Sequence, residues 1–298
     1  MRLFNLIAGA LLLCLALPSA AGAKAVVLQP QSAWALDSDD ESCALVRVFG
    51  DGEGVIQLEL RQFSPGGTMQ VQVVSNERHV SNRDHMSYRF EPETEWREKN
   101  RMSFGYFGVP RKFEGVVFDA SLLPEKEKDD KSTTPPPPSD PKTLQQIGAA
   151  LNTIDGVSLT DAFSDELTLH TGSLMQPFTA LRQCLDKVVE KWGFDPFVQS
   201  TLTKVPKPVN IKDVAAATQR AYPGRQLMEG MPAIIQVRLS VDAAGKTTGC
   251  SVHGPLSDEA FHKAACKNLT AMQFEPALDA KGQAVASFWE TRVYYVVN

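Results

Sequence analysis

Residues 233–241 place Ile235, Val237, Leu239 and Val241 on one face of an extended chain and Gln236, Arg238 and Ser240 on the other. Strict alternation of this kind belongs to a half-buried β-strand, because successive side chains leave a strand on opposite sides. Such a strand needs a layer over its apolar face, and the residues that follow can supply one. Asp242-Ala243-Ala244-Gly245 is turn chemistry, so 246–252 can return antiparallel as a hairpin. Ser257 predicts a helix N-cap, with Asp258 and Glu259 in a first turn where the helix dipole favours negative charge. Phe261, Ala265, Leu269 and Met272 then recur at helical spacing and form one apolar stripe. Lys281-Gly282 turns the chain into a β-branched and aromatic run at 284–297, which carries Trp289, Arg292, Tyr294 and Tyr295. Strand, strand, helix, strand predicts a small α+β module with one sheet face covered.

Three signposts surround that module. Tyr222-Pro223 opens it, Gly230 stands at the turn into its first strand, and Phe274-x-Pro276-Ala277 follows its helix. In these features residues 210–298 resemble the C-terminal domain of TonB, although His253-Gly254-Pro255 stands where that family has a Ser-Ser-Gly run. The resemblance implies a periplasmic domain that binds envelope partners, TonB-dependent outer-membrane receptors and their plugs among them. It points to the last strand and the residues around Tyr222 and Pro223 as the binding surface. Tyr222, Pro223, Trp289, Arg292, Tyr294 and Tyr295 are therefore the candidate partner-binding residues. No later element follows 284–297, so that strand is expected at a sheet edge, where unpaired backbone groups can accept a further strand.

The N-terminus reads as an export signal. Met1-Arg2 precedes the apolar run 3–17, helix-breaking Pro18, and Ala21-Gly22-Ala23, which has the small-residue pattern of a cleavage site. The run is shorter than the roughly 20 residues that span a bilayer. The expectation is a signal peptide at 1–23, a mature protein in the periplasm and no integral membrane span. Cys14 does not fit a lipidation site, because Leu13 stands where a small residue is needed.

Cys43, Cys184, Cys250 and Cys266 follow the signal, and an even count in an exported chain reads as disulfides. Cys250 on the second strand and Cys266 on the helix would staple helix to sheet, which leaves Cys43 with Cys184. A zinc site is the competing reading of the first pair. Cys250-x-x-His253 and His262-x-x-x-Cys266 carry metal-ligand spacing, but the loop between them is shorter than that of zinc fingers.

Residues 24–203 predict a mostly antiparallel β domain with added helices, followed by the ββαβ module at 204–298. Turn residues at 50–54 and 64–67 punctuate strand-like runs between 26 and 118. The charged, proline-rich stretch 125–141 lacks the apolar residues for packing and is expected to be disordered, as a linker or a long loop within one domain. A short helix at 144–151, a strand at 166–170 and an amphipathic helix at 175–192 are expected after it.

Charge and motifs narrow the function. Residues 24–203 carry 18 Lys and Arg against 27 Asp and Glu, whereas 204–298 carry 11 against 8. Nucleic-acid binding needs a concentrated basic patch, which this balance does not offer. Residues 37–41 are acidic but lack the glycine and terminal glutamate of an EF-hand loop, so they read as a solvated stretch. His79 and His85 read as surface residues. Gly50-x-Gly52-x-Gly54 is interrupted by Asp51 and Glu53, which would repel a phosphate. No G-x-S-x-G or H-E-x-x-H motif occurs, and nothing in the pattern calls for a cofactor. The expectation is a binding protein rather than an enzyme. The alternative is a structural or assembly protein of the envelope that keeps the module as a scaffold.

Overall fold

The computed structural model describes residues 25–50, 54–81, 85–100, 103–107, 113–124, 140–231, 233–253 and 257–295. The expected signal peptide and nearly all of the proline-rich stretch lie outside these residues.

The N-terminal part begins with β1 (Val26–Pro30), β2 (Ala35–Ser38), β3 (Cys43–Gly50), β4 (Val55–Gln62) and β5 (Thr68–Ser75). β6 (His85–Glu91), β7 (Arg97–Asn100), β8 (Ser103–Phe107) and β9 (Phe113–Ser121) follow. In β4, Ile56, Leu58 and Leu60 are buried while Val55, Gln57 and Glu59 are not. A slip of one residue would drive Gln57 and Glu59 into the core, so this alternation fixes the β3–β4–β5 register.

The chain then forms α1 (Pro141–Thr153), β10 (Gly156–Thr160), β11 (Leu167–Leu169) and α2 (Met175–Lys191). Asp140 caps α1 by accepting the Thr143 N–H, and Pro141 occupies its first turn, so the end of the proline-rich stretch is ordered. β10 and β11 complete one sheet in the order β7-β6-β10-β11-β1-β3-β4-β5-β9-β8, with β2 on β3. One pair departs from the antiparallel expectation. Val26–Leu28 of β1 run parallel to β11, and Gln29 and Pro30 then pair antiparallel with β3. β1 thus joins two half-sheets that close over a common core. Across it, the rings of Tyr88 on β6 and Phe118 on β9 lie 5.1 Å apart.

α2 lays Phe178, Leu181, Leu185 and Val188 on that core, and Cys184 is bonded to Cys43 of β3. This bridge spans 141 residues of sequence and fixes helix to sheet.

α3 (Pro196–Ser200), β12 (Lys207–Pro208), α4 (Ile211–Arg220) and α5 (Gly224–Met228) lead into the C-terminal module. Its elements are β13 (Ala233–Val241), β14 (Thr247–His253), α6 (Glu259–Leu269), β15 (Phe274–Glu275), β16 (Ala277–Leu278), β17 (Ala284–Val285) and β18 (Ser287–Tyr295). The main sheet has the order β14-β13-β18. Ile235, Val237, Leu239 and Val241 meet Phe261, Ala265, Leu269 and Met272 in a second core, which Val214 of α4 also enters. Each such fully buried aliphatic side chain contributes about 1.5–3 kcal/mol. Gly245 sets the β13–β14 turn with φ +81°, and a Cβ there would meet the Phe274 carbonyl oxygen at 2.0 Å.

Two local expectations are corrected. Asp258, not Ser257, caps α6: its carboxylate accepts the Ala260 N–H, while the Ser257 hydroxyl is engaged by the His262 ring. The run 284–297 is also not one strand. Ala284–Val285 pairs with β16 and Ser287–Tyr295 with β13, and 296–298 lie outside the described residues.

Candidate partner-binding strand and its seat

β18 is the terminal strand of the module's main sheet. It pairs with β13 from Ala233↔Tyr295 to Val241↔Ser287, and no strand lies beyond it among the described residues. The segment before the module covers little of this margin. β12 pairs with β15, and α4 lies over α6. Contacts fall near the two ends of β18. Gln199 of α3 donates to the Ala286 carbonyl and accepts from the Ser287 hydroxyl, while Gln219 of α4 donates to the Tyr294 carbonyl.

The candidate residues do not form one continuous patch. Tyr295 is wholly buried, with its ring 5.3 Å from Tyr222 and 5.0 Å from Phe261. Burial pushes its hydroxyl up to about 12, and that hydroxyl has no hydrogen-bond partner among the described residues. Trp289 packs on Phe274. Tyr222 also sends its hydroxyl to the Met231 carbonyl, and Pro223 is the N-cap residue of α5. Tyr294 alone on β18 is classed as exposed, at 38 %. Nearby in sequence, α5 exposes Leu227 and Met228, and Met231 follows.

The other face of β18 looks toward the N-terminal part. Phe288 meets the rings of Trp192 and Phe194, Glu290 accepts from the Ser64 hydroxyl, and Arg292 pairs with Asp119 of β9. Burial works against the charge on Arg292, but the Asp119 carboxylate outweighs it and holds the pKa above the usual value. On β13, Arg238 binds both carboxylate oxygens of Glu41, at 2.9 and 3.1 Å, and its guanidinium lies 4.2 Å from the Trp192 ring centre. Ser251 of β14 donates to the same carboxylate at 2.6 Å. His253 stands 3.5 Å from Asp39 and edge-on to Phe63; burial depresses its pKa, aided by Arg61 and opposed by Asp39 and Glu41.

The acidic stretch 37–41 is thus not merely solvated. Asp37 and Asp39 pair with Arg61, and Glu41 reaches across to the module. Sequence reasoning missed this seat because the partners of Glu41 lie 197 and 210 residues away. The polar face of the alternating strand was the available signal, since Arg238 and Ser240 sit on it.

Cys250 and Cys266 are joined, with Cα atoms 5.7 Å apart. Their thiolates are consumed by that bond, and His262 and His253 turn to Ser257 and Asp39, so the zinc reading gives way to the disulfide. His79 is exposed beside Glu114, and the hydrogen bond from its ring is the main cause holding the Glu114 carboxyl below the usual range.

Sequence comparison agrees with the architecture. Residues 218–297 match the family model of the Gram-negative bacterial TonB protein C-terminal. No curated protein matches the chain. The match spans α5, β13, β14, α6 and β18, so the TonB-type module is the ββαβ unit described above, with the last turn of α4. Among the described residues no helix is long and apolar enough to cross a membrane.

Proposed function

We propose that this chain is an exported periplasmic protein whose TonB-type module binds extended segments of envelope proteins by adding them to β18. The observation that carries the reading is the position of β18 at the margin of a sheet that matches the TonB C-terminal family. Backbone bonds along that margin would supply affinity, and side chains on alternate positions would supply selectivity. Tyr294 is the exposed candidate on β18, with its side chain hydrogen-bonded to Arg292, whereas Tyr222, Trp289 and Tyr295 hold the strand in place. The family makes the plug of a TonB-dependent outer-membrane receptor the first partner to try.

The test is binding of receptor plug peptides to the mature chain and to Tyr294→Pro. The Tyr294 carbonyl accepts from Gln219, so its backbone groups face away from β13, and proline there spares the β13–β18 ladder. Strand addition predicts at least a tenfold loss of affinity in a folded variant. Undiminished binding would remove the mechanism, and no binding by the parent would remove the receptor.

A second reading is favoured by the seat. Phe288, Glu290 and Arg292 of β18 already contact the N-terminal part, as a scaffolding role would require. In that case envelope assembly components, not receptor plugs, would be recovered with the protein.

A further inference from the structure

At the centre of the seat, two carboxylates lie near one guanidinium, and only one of them is bonded to it. Arg238 commits Nε and Nη2 to Glu41 and turns Nη1 to the Ser240 hydroxyl at 3.3 Å. Glu41 takes a further bond from Ser251. Glu290, on the neighbouring strand and paired with Arg238 in register, receives the Ser64 hydroxyl instead of a cation. The other charges around it are already committed: Arg292 to Asp119 of β9, Arg61 of β4 to Asp37, Asp39 and Glu59, and Lys191 of α2 to Asp40. His253 of β14 faces Asp39. A half-buried carboxylate beside a second carboxylate, with a neutral hydroxyl as its partner, holds a proton more readily than one in water.

We infer that the contact between the N-terminal part and the TonB-type module is a proton-operated clasp, closed when Glu290 is neutral and weakened when it ionises. The residues involved come from both parts of the chain: Ser64 and Glu41 from the N-terminal side, Glu290 and Arg238 from the module. Burial, with Glu41 adding and Ser64 and Arg238 opposing, pushes the Glu290 carboxyl up to about 7. A group whose pKa is raised in the closed state favours closure fully below its ordinary carboxylate value, and that contribution is lost as pH rises through about 7. His253 acts in the opposite sense. Its depressed pKa means that its contribution is present above its ordinary value and fades as pH falls below it. The clasp is therefore tightest in mildly acidic solution. β18 carries Glu290, so the same proton sets how firmly the proposed binding strand is held from behind.

The test needs no partner, and its outcome is independent of the strand-addition reading. Urea unfolding of the mature chain is followed at pH 5, 6, 7 and 8 for the parent, Glu290→Gln and Glu41→Gln. Glu290→Gln keeps the shape and the hydrogen bond of the neutral acid. Relative to this variant, the parent's unfolding constant is expected to rise on the order of a hundredfold from pH 5 to pH 8. Glu41→Gln removes the N-terminal carboxylate that holds Arg238, frees that guanidinium for Glu290 on the neighbouring strand and should shrink that rise at least tenfold. The same pH dependence in parent and Glu290→Gln would overturn the clasp and place the titration in other groups. A rise undiminished in Glu41→Gln would also overturn it, because Glu290 would then be titrating without the N-terminal part.

Discussion

Tyr295 is wholly buried against Tyr222 and Phe261, and its hydroxyl meets no donor or acceptor among the described residues. A buried hydroxyl left unsatisfied costs about 1–3 kcal/mol, so Tyr295→Phe should be more stable than the parent by about 1 kcal/mol in urea unfolding. A loss of stability would mean that the hydroxyl has a partner. Gly245 predicts the opposite sign. With φ +81° and the Phe274 carbonyl in the way of any Cβ, Gly245→Ala should cost about 2 kcal/mol or more, read from the same unfolding curves. At this scale the sequence was informative where one residue's chemistry decides the outcome, as at Gly230 and at the paired cysteines. It was ambiguous where two neighbours compete for one role. Ser257 and Asp258 are both good caps, and only the seating of Ser257 against His262 leaves the cap to Asp258.

Among the elements, β13 was legible to the residue because one face is buried along its whole length. β10 was not, because Gly156 to Leu159 are all buried and a short continuous run carries no period. α4 escaped notice because only Val214 and Thr218 of it are buried, too few positions to mark an apolar stripe. α6 owes its position to two fastenings, the cap and the disulfide. The Cys250–Cys266 bond closes a separation of 16 residues, so the double alanine variant should lose about 3 kcal/mol on the chain-entropy account. Calorimetry of oxidised parent against that variant measures it. The cap titrates as well. The Ala260 N–H, with Gln226 and Arg225 assisting, holds the Asp258 carboxyl below its usual range. Its contribution is thus present above the ordinary aspartate value and lost as pH falls through and below it. Asp258→Asn should remove that part of the acid sensitivity while keeping a capping side chain.

Across the whole molecule, the two cores are each continuous, and the polar face of the C-terminal sheet is where they meet. Composition and motifs indicated a binding protein with a TonB-type module, and the family match at 218–297 agrees with that module. What they could not convey is that its polar strand face is turned inward onto Glu41, Trp192 and Asp119, since long-range ion pairs leave no periodic trace. Export is a prediction at this scale: the mature N-terminus of the native protein should be Lys24 by intact mass, and retention of Met1 in the inner membrane would contradict it. The central claim is that β18 receives a partner's backbone. Amide hydrogen exchange of the mature chain, with and without a bound receptor plug peptide, tests it most directly. The account predicts new protection confined to residues 287–295, with 247–253 unchanged; binding that protects β14 or α5 and leaves β18 exchanging as before would contradict it.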